Sequence, residues 1–195
     1  MEAQVKFAIV AHHSRLEAVM NLKRVLNAHF LLDDKDGGAN ANHRRAIEWA
    51  GQQNCRVVIM EDDAMPVNGF TDKVSAWLNR FPDDLLSFYL GTGRPPQYQH
   101  EIAGMLVDAD RTRADYLVMR RLIHGVCYSL PQYKIPVILD RWDKTLAADY
   151  AVGDAYGGRV IYPCYSLVDH ADLPTVERHP DNEPRTERRR AWRLA

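Results

Sequence analysis

Apolar residues fall along this chain in short blocks whose period changes from one block to the next. Val5 to Ala11 is a nearly continuous apolar run rich in β-formers, which predicts a buried strand. Beyond it Leu16, Val19, Met20, Leu22, Val25 and Leu26 recur at helical spacing, with Ser14 placed to cap the helix, and Ala28 to Leu32 leads into a second strand. A turn-rich stretch from Asp33 to Gly38 precedes a helix predicted from about Asn42 to Gly51. Arg56 to Met60 is the clearest strand, and it runs straight into Glu61, Asp62 and Asp63. Gly69 to Phe81 then reads as a helix and Leu85 to Leu90 as a strand. The segment from Gly91 to Pro96 reads as loop, Gly125 to Leu130 as a strand, Lys134 to Trp142 as a helix and Val160 to Tyr162 as a last short strand.

Strands alternating with helices predict an α/β domain with a mainly parallel sheet flanked by helices, and such sheets bind ligands beyond the carboxyl ends of their strands. The 195 residues suit one domain, placed over residues 1–172, with a charged arm over 173–195. Pro174, Pro180 and Pro184 among charges predict that the arm packs poorly. The formal charge of −1 divides unevenly, because the last eleven residues carry five Arg and one Glu. The acidic remainder lacks the basic excess expected of a dedicated nucleic-acid-binding domain, though it leaves room for a local patch, while Arg185, Arg188, Arg189, Arg190 and Arg193 with Trp192 could either touch a nucleic acid or form a solvated tail or a helix packed by Trp192 and Leu194. Cys55, Cys127 and Cys164 are odd in number and widely spaced, which disfavours disulfides and zinc-thiolate sites. No apolar run approaches the ~20 residues of a membrane span, so the reading expects no membrane span and a cytoplasmic protein, in the host cytoplasm if phage-encoded.

Three adjacent carboxylates at a strand end repel one another unless a cation offsets them, and hard oxygen ligands suit Mn²⁺ or Mg²⁺. The segment VVIMEDDAMP (residues 57–66) resembles the strand-plus-DxD signature of GT-A fold glycosyltransferases, particularly the LEDDA variant of family 25 and related lipopolysaccharide-type and bacteriophage-encoded enzymes. YPCYSLVDH (162–170) is similar to a P-SLV-H segment of the phage-type members. AHHSRLEAVMNLKRVL (11–26) and DDKDGGANANHRRAIEWA (33–50) are similar to the first strand with its exit loop and to the nucleotide-binding segment. The likeness covers residues 5–170 and implies a single GT-A (Rossmann-like) domain that moves a sugar from a nucleoside-diphosphate sugar, a UDP-sugar being favoured.

Carried over residue by residue, the resemblance implies that Asp63 and His170 hold the metal, with Glu61 beside it or bound through water, and that Asp62 lies with the donor. It also implies that His12, Ser14, Arg15 and Asp33 clasp the nucleoside, although Ser14 could be a helix cap and Asp33 a turn former. Asn42, Arg44 and Arg45 open a helix, where amides and basic side chains favour an anion, and Arg45 is the choice for the diphosphate. Asp149, with Asp154 in reserve, would take the proton of an acceptor hydroxyl if the reaction inverts. Arg94 stands where an acceptor would lie. The phage-type relatives imply a modified DNA base as acceptor, with protein or glycan as alternatives. A nucleotidyltransferase is the rival enzyme reading, but there is no GxGxxG after the first strand and no P-loop. The rival outside enzymes is a non-catalytic sugar- or nucleic-acid-binding module.

Overall fold

The computed structural model describes residues 5–176 and 187–195. Strand β1 (Lys6–His12) is followed by a 3-10 turn (His13–Arg15), α1 (Leu16–Leu26), β2 (His29–Asp33), α2 (Ala39–Gly51) and β3 (Val57–Glu61). Then come β4 (Ala64–Pro66), α3 (Phe70–Arg80), β5 (Leu85–Ser87), α4 (Pro96–Thr112), β6 (Tyr116–Met119) and β7 (Cys127–Ser129). The last elements are α5 (Ile135–Asp140), α6 (Ala148–Tyr156), β8 (Val160–Pro163) and β9 (Val168–His170).

Seven strands form one sheet in the order β2-β1-β3-β7-β5-β8-β6, and β4 pairs with β9 in a separate ribbon. Strands β1, β2, β3, β5 and β8 share one direction, whereas β7 and β6 run against them. The result is a mixed, mainly parallel sheet of Rossmann-like α/β character, as the alternation of blocks predicts. Side-chain alternation along each strand sorts the core into two layers. Phe7, Ile9, Ala11, Val58 and Met60 pack with α1 and α3 on one face, and Ala8, Val10, Val57 and Ile59 pack with α2, α4, α5 and α6 on the other. Ile59 is 1% exposed, so truncating it to Ala would cost about 2–5 kcal/mol.

The sequence reading missed β4, α4, β6, α6 and β9. In α4 Ile102, Leu106 and Ala109 are buried at helical spacing, a stripe overlooked because the preceding Pro-Pro reads as loop. Pro96 is the first helical residue, a position proline favours because its missing N–H would have no intrahelical partner there. Strand β9 is too short for a period, and it exists because β4 offers it an edge.

The expectation of a poorly packed arm is corrected for residues 187–195; Arg185 lies outside the described residues. Ala191 bridges Gly91 and Leu194 bridges Ser166. The Trp192 amide donates to Leu90 O at 2.9 Å and the Ser166 amide to Arg193 O at 2.8 Å. Arg193 forks onto both carboxylate oxygens of Asp110 at 2.7 and 2.8 Å, and the Trp192 indole donates to Gln99 at 3.1 Å. Composition missed this because the segment is held by main-chain bonds and individual polar pairs rather than by an apolar stripe.

Candidate functional site

Strand β3 delivers Glu61 at its carboxyl end, and the chain then turns through Asp62 and Asp63 into β4. The ribbon register places Ala64 opposite His170, and the Ala171 amide donates to Asp63 O at 2.8 Å. Residues more than a hundred positions apart are thereby brought together. One ligand atom from each of Glu61, Asp63 and His170 lies within 4.8 Å of the others. All three residues expected at a metal therefore meet.

The donor set fits a hard divalent cation. Asp63 Oδ1 is buried and accepts no hydrogen bond among the described residues, leaving a carboxylate lone pair available to a cation. Burial would raise the Glu61 carboxyl, but the neighbouring His43, 3.4 Å away, together with His170 and Arg189 brings it below its ordinary value. Burial lowers the His170 imidazole and so favours the neutral form that a ligand must have. The Asp172 amide donates to His170 Nδ1 at 3.0 Å, which leaves the ring proton on Nε2, 3.5 Å from Asp63 Oδ2. Ligation through Nε2 requires that proton to move to Nδ1 and the Asp172 amide to turn away.

Behind the cluster stands His43 of α2, a residue the sequence reading passed over. Its Nε2 is 3.4 Å from Glu61 Oε1, and its Nδ1 pairs with the Tyr128 hydroxyl at 3.0 Å. Gly125 is pressed against the same carboxylate, for a Cβ there would lie 2.8 Å from Glu61 Oε1. His124 was also missed. Its Nε2–H donates to Arg94 O at 2.9 Å while its Nδ1 is buried without a partner among the described residues. Burial lowers this imidazole to about 4, so the ring is neutral at pH 7. An isolated His in a loop carries no sequence signal for such a role.

Arg15 crosses the other side of the acids. Its Nη1 donates to Asp62 Oδ1 at 2.8 Å and Asp63 Oδ2 at 2.6 Å, and its Nη2 to Pro174 O at 2.6 Å. Asp62 also accepts the His12 amide at 2.8 Å, so both its oxygens are engaged outside the Glu61–Asp63–His170 group. Burial raises the Asp62 carboxyl against the pull of Arg15.

The two expected bases part company. Asp149 begins α6, and burial together with the Glu61 charge raises its carboxyl to about 6, against the pull of the Tyr150 amide. Close packing of α6 holds it there, since a Cβ on Gly153 would lie 2.6 Å from the Leu122 amide nitrogen. Asp154 is five residues on, about 140° around the helix, and both its oxygens accept from Arg121 at 2.7 Å. Asp154, the reserve candidate for the base, thus stands in a part-exposed ion pair with Arg121.

The remaining donor-site residues lie at the ends of β1 and β2, and most have local work. Asp33 accepts the amides of Gly37 at 3.0 Å and Gly38 at 2.9 Å, which makes it the former of the turn into α2. Those bonds hold its carboxyl low against the effect of burial. Asn42 is buried and donates to Ala11 O and Leu31 O at 3.0 and 2.9 Å, while Arg45 donates to Leu32 O at 2.9 Å. Both tie α2 to the sheet rather than open toward the acids. Ser14 does not cap α1; its amide donates to His12 Nδ1 at 3.2 Å. His12 and His13 each place Nε2 on Asp36 Oδ1, at 3.0 and 3.1 Å. Arg94 lies in the loop before α4, where its carbonyl accepts from His124.

A groove of about 670 Å³ runs from Asp62 and Asp63 along α1 to Phe70. The three cysteines are free thiols. No helix among the described residues is long and apolar enough to cross a membrane.

No family model and no curated protein matches the sequence. Among solved structures, the chain is similar to the crystal structure of A197 from STIV, with a TM-score of 0.51 and 12% identity over 92% of both chains. That likeness concerns the fold, a single α/β domain of this architecture.

Proposed function

We propose that this chain is a divalent-metal-dependent glycosyltransferase that transfers a sugar from a nucleoside-diphosphate sugar to an acceptor hydroxyl. The observation that carries the reading is the convergence of Glu61, Asp63 and His170 at the carboxyl ends of β3 and β9, with an Asp63 oxygen that has no partner among the described residues. Asp149, with its raised carboxyl, supports it as the base.

Glu61, Asp63 and His170 would hold Mn²⁺ or Mg²⁺, which supplies positive charge for the diphosphate as it departs. Arg15 fixes Asp62 and Asp63 in place. Asp149 accepts the hydroxyl proton as the acceptor oxygen bonds to the anomeric carbon and the bond from that carbon to the diphosphate breaks. A single displacement of this kind inverts the anomeric centre.

The acceptor is the least constrained part. Of the arm's arginines, Arg193 is committed to Asp110 and Arg189 turns toward Asp63, which weakens the case for the arm as a grip on DNA. A donor-hydrolysis screen over nucleotide sugars with and without Mn²⁺ tests the proposal. Sugar release that needs the ion and one donor class supports it, and no release from any donor contradicts it.

A further inference from the structure

A second group of metal-ligating atoms meets at the exit of β1, outside the Glu61–Asp63–His170 group. Successive strand residues point to opposite faces, but the 3-10 turn that begins at His13 breaks that alternation directly after His12. The two rings are left side by side, with centroids 4.2 Å apart. Strand β2 runs parallel to β1 with Asp33 opposite His12, so the chain leaves β2 beside the same ring, and the loop then brings Asp36 back to it. His12 Nε2 stands 3.0 Å and His13 Nε2 3.1 Å from Asp36 Oδ1. The side chains of Asp36 and His13 are 76% and 46% exposed, and that of His12 is 17% exposed.

We propose that His12, His13 and Asp36 form a second metal site, one for Zn²⁺, that clips the loop after β2 to the exit of β1. Ligand chemistry separates the two sites. Two imidazole nitrogens and one carboxylate oxygen suit a borderline ion such as Zn²⁺, whereas the two carboxylates of Glu61 and Asp63 suit a hard one. Spacing agrees, because tetrahedral bonds of about 2.0–2.2 Å place ligand atoms about 3.3–3.5 Å apart, and a slight outward shift of the rings from 3.0 and 3.1 Å accommodates the ion. With Asp36 and His13 exposed, the fourth position is left to water. The ring protons have places to go. The Ser14 amide donates to His12 Nδ1 at 3.2 Å, which leaves the ring proton on Nε2. Ligation through Nε2 moves that proton to Nδ1, where Ser14 Oγ at 2.8 Å accepts it in place of the amide and fixes the ring, as the outer partners of metal-bound imidazoles do. The half-exposed His13 ring makes the same shift with water as partner. The His12 amide also donates to Asp62 at 2.8 Å, so the clip steadies the segment that carries Arg15. The inference stands on these residues alone and is independent of the transferase reading.

The probe is Zn²⁺, titrated calorimetrically in saturating Mg²⁺ into wild type, His13→Ala, Asp36→Asn and Asp63→Ala, with the thermal unfolding of each protein followed with and without Zn²⁺. Wild type and Asp63→Ala should bind one Zn²⁺ per chain with similar affinity and melt higher when it is present, because a ligand that binds only the folded chain stabilises it. His13→Ala and Asp36→Asn should bind Zn²⁺ about tenfold or more weakly and lose the rise in melting temperature. Without zinc both should melt as wild type does, since the two side chains are exposed. Equal Zn²⁺ affinity in all four proteins, binding lost only in Asp63→Ala, or no binding by wild type overturns the inference. Each of these results leaves the Mn²⁺ reading to its own titration.

Discussion

His170 stands 3.5 Å from Asp63 because Ala64, the next residue, is its partner across the ribbon of β4 and β9. The proximity is therefore a consequence of strand register. It sets the expected behaviour of Asp63→Ala, which should abolish sugar transfer while the fold survives. Arg15 keeps Asp62 at 2.8 Å, so the stability loss should stay below the about 3–5 kcal/mol of stripping a buried charge of its sole partner. Thermal unfolding alongside donor hydrolysis checks both halves.

Asp149→Asn should separate binding from turnover. A folded value of about 6 lies above the ordinary carboxyl value of 3.8, so the folded chain holds this proton more tightly than the unfolded chain. The group favours folding at low pH and works against it progressively as pH rises from about 4 to 6. The variant should therefore gain melting temperature relative to wild type across that interval, while transfer falls at every pH and donor affinity changes by less than about tenfold. A constant difference in melting temperature from pH 4 to 7 contradicts the assignment.

Gly125→Ala probes the wall behind Glu61. The added methyl would lie 2.8 Å from Glu61 Oε1 and 3.3 Å from His43 Cε1, forcing the carboxylate to move. Overpacking of this kind costs about 1–3 kcal/mol, and Mn²⁺ affinity should fall with it. Unchanged Mn²⁺ affinity would remove Glu61 from the ligand set.

Asn42→Ala tests the residue whose buried amide ties α2 to the sheet. Its amide serves two carbonyls, Ala11 O and Leu31 O, and leaving them unserved should cost about 1–3 kcal/mol. That corresponds to about 2–4 °C of melting temperature per kcal/mol in a chain of this size. Donor affinity of the folded variant should be close to wild type, and selective loss of donor binding at unchanged stability would return Asn42 to the donor site.

The first half of the fold was legible because its strands are buried runs and α1 and α3 carry apolar stripes, patterns dictated by period alone. The second half was less so. Strand β9 has three residues, too few to show a period, and α4 hides its start behind Pro95. The meeting of Glu61, Asp63 and His170 was legible through the order of short motifs. The partners that tune them were not. His43, His124 and Arg189 reach the site through the packing of α2, the approach of one loop and the return of the C-terminal segment, and such long-range pairings leave no mark in local sequence.

Calorimetric titration of Mn²⁺ into wild type and Asp63→Ala, each with and without UDP, addresses the central claim most directly. The account expects one ion per wild-type chain, tighter when UDP is present, and loss of that site in Asp63→Ala at an unchanged far-UV spectrum. Equal Mn²⁺ binding by the two proteins, or none by wild type, would contradict it.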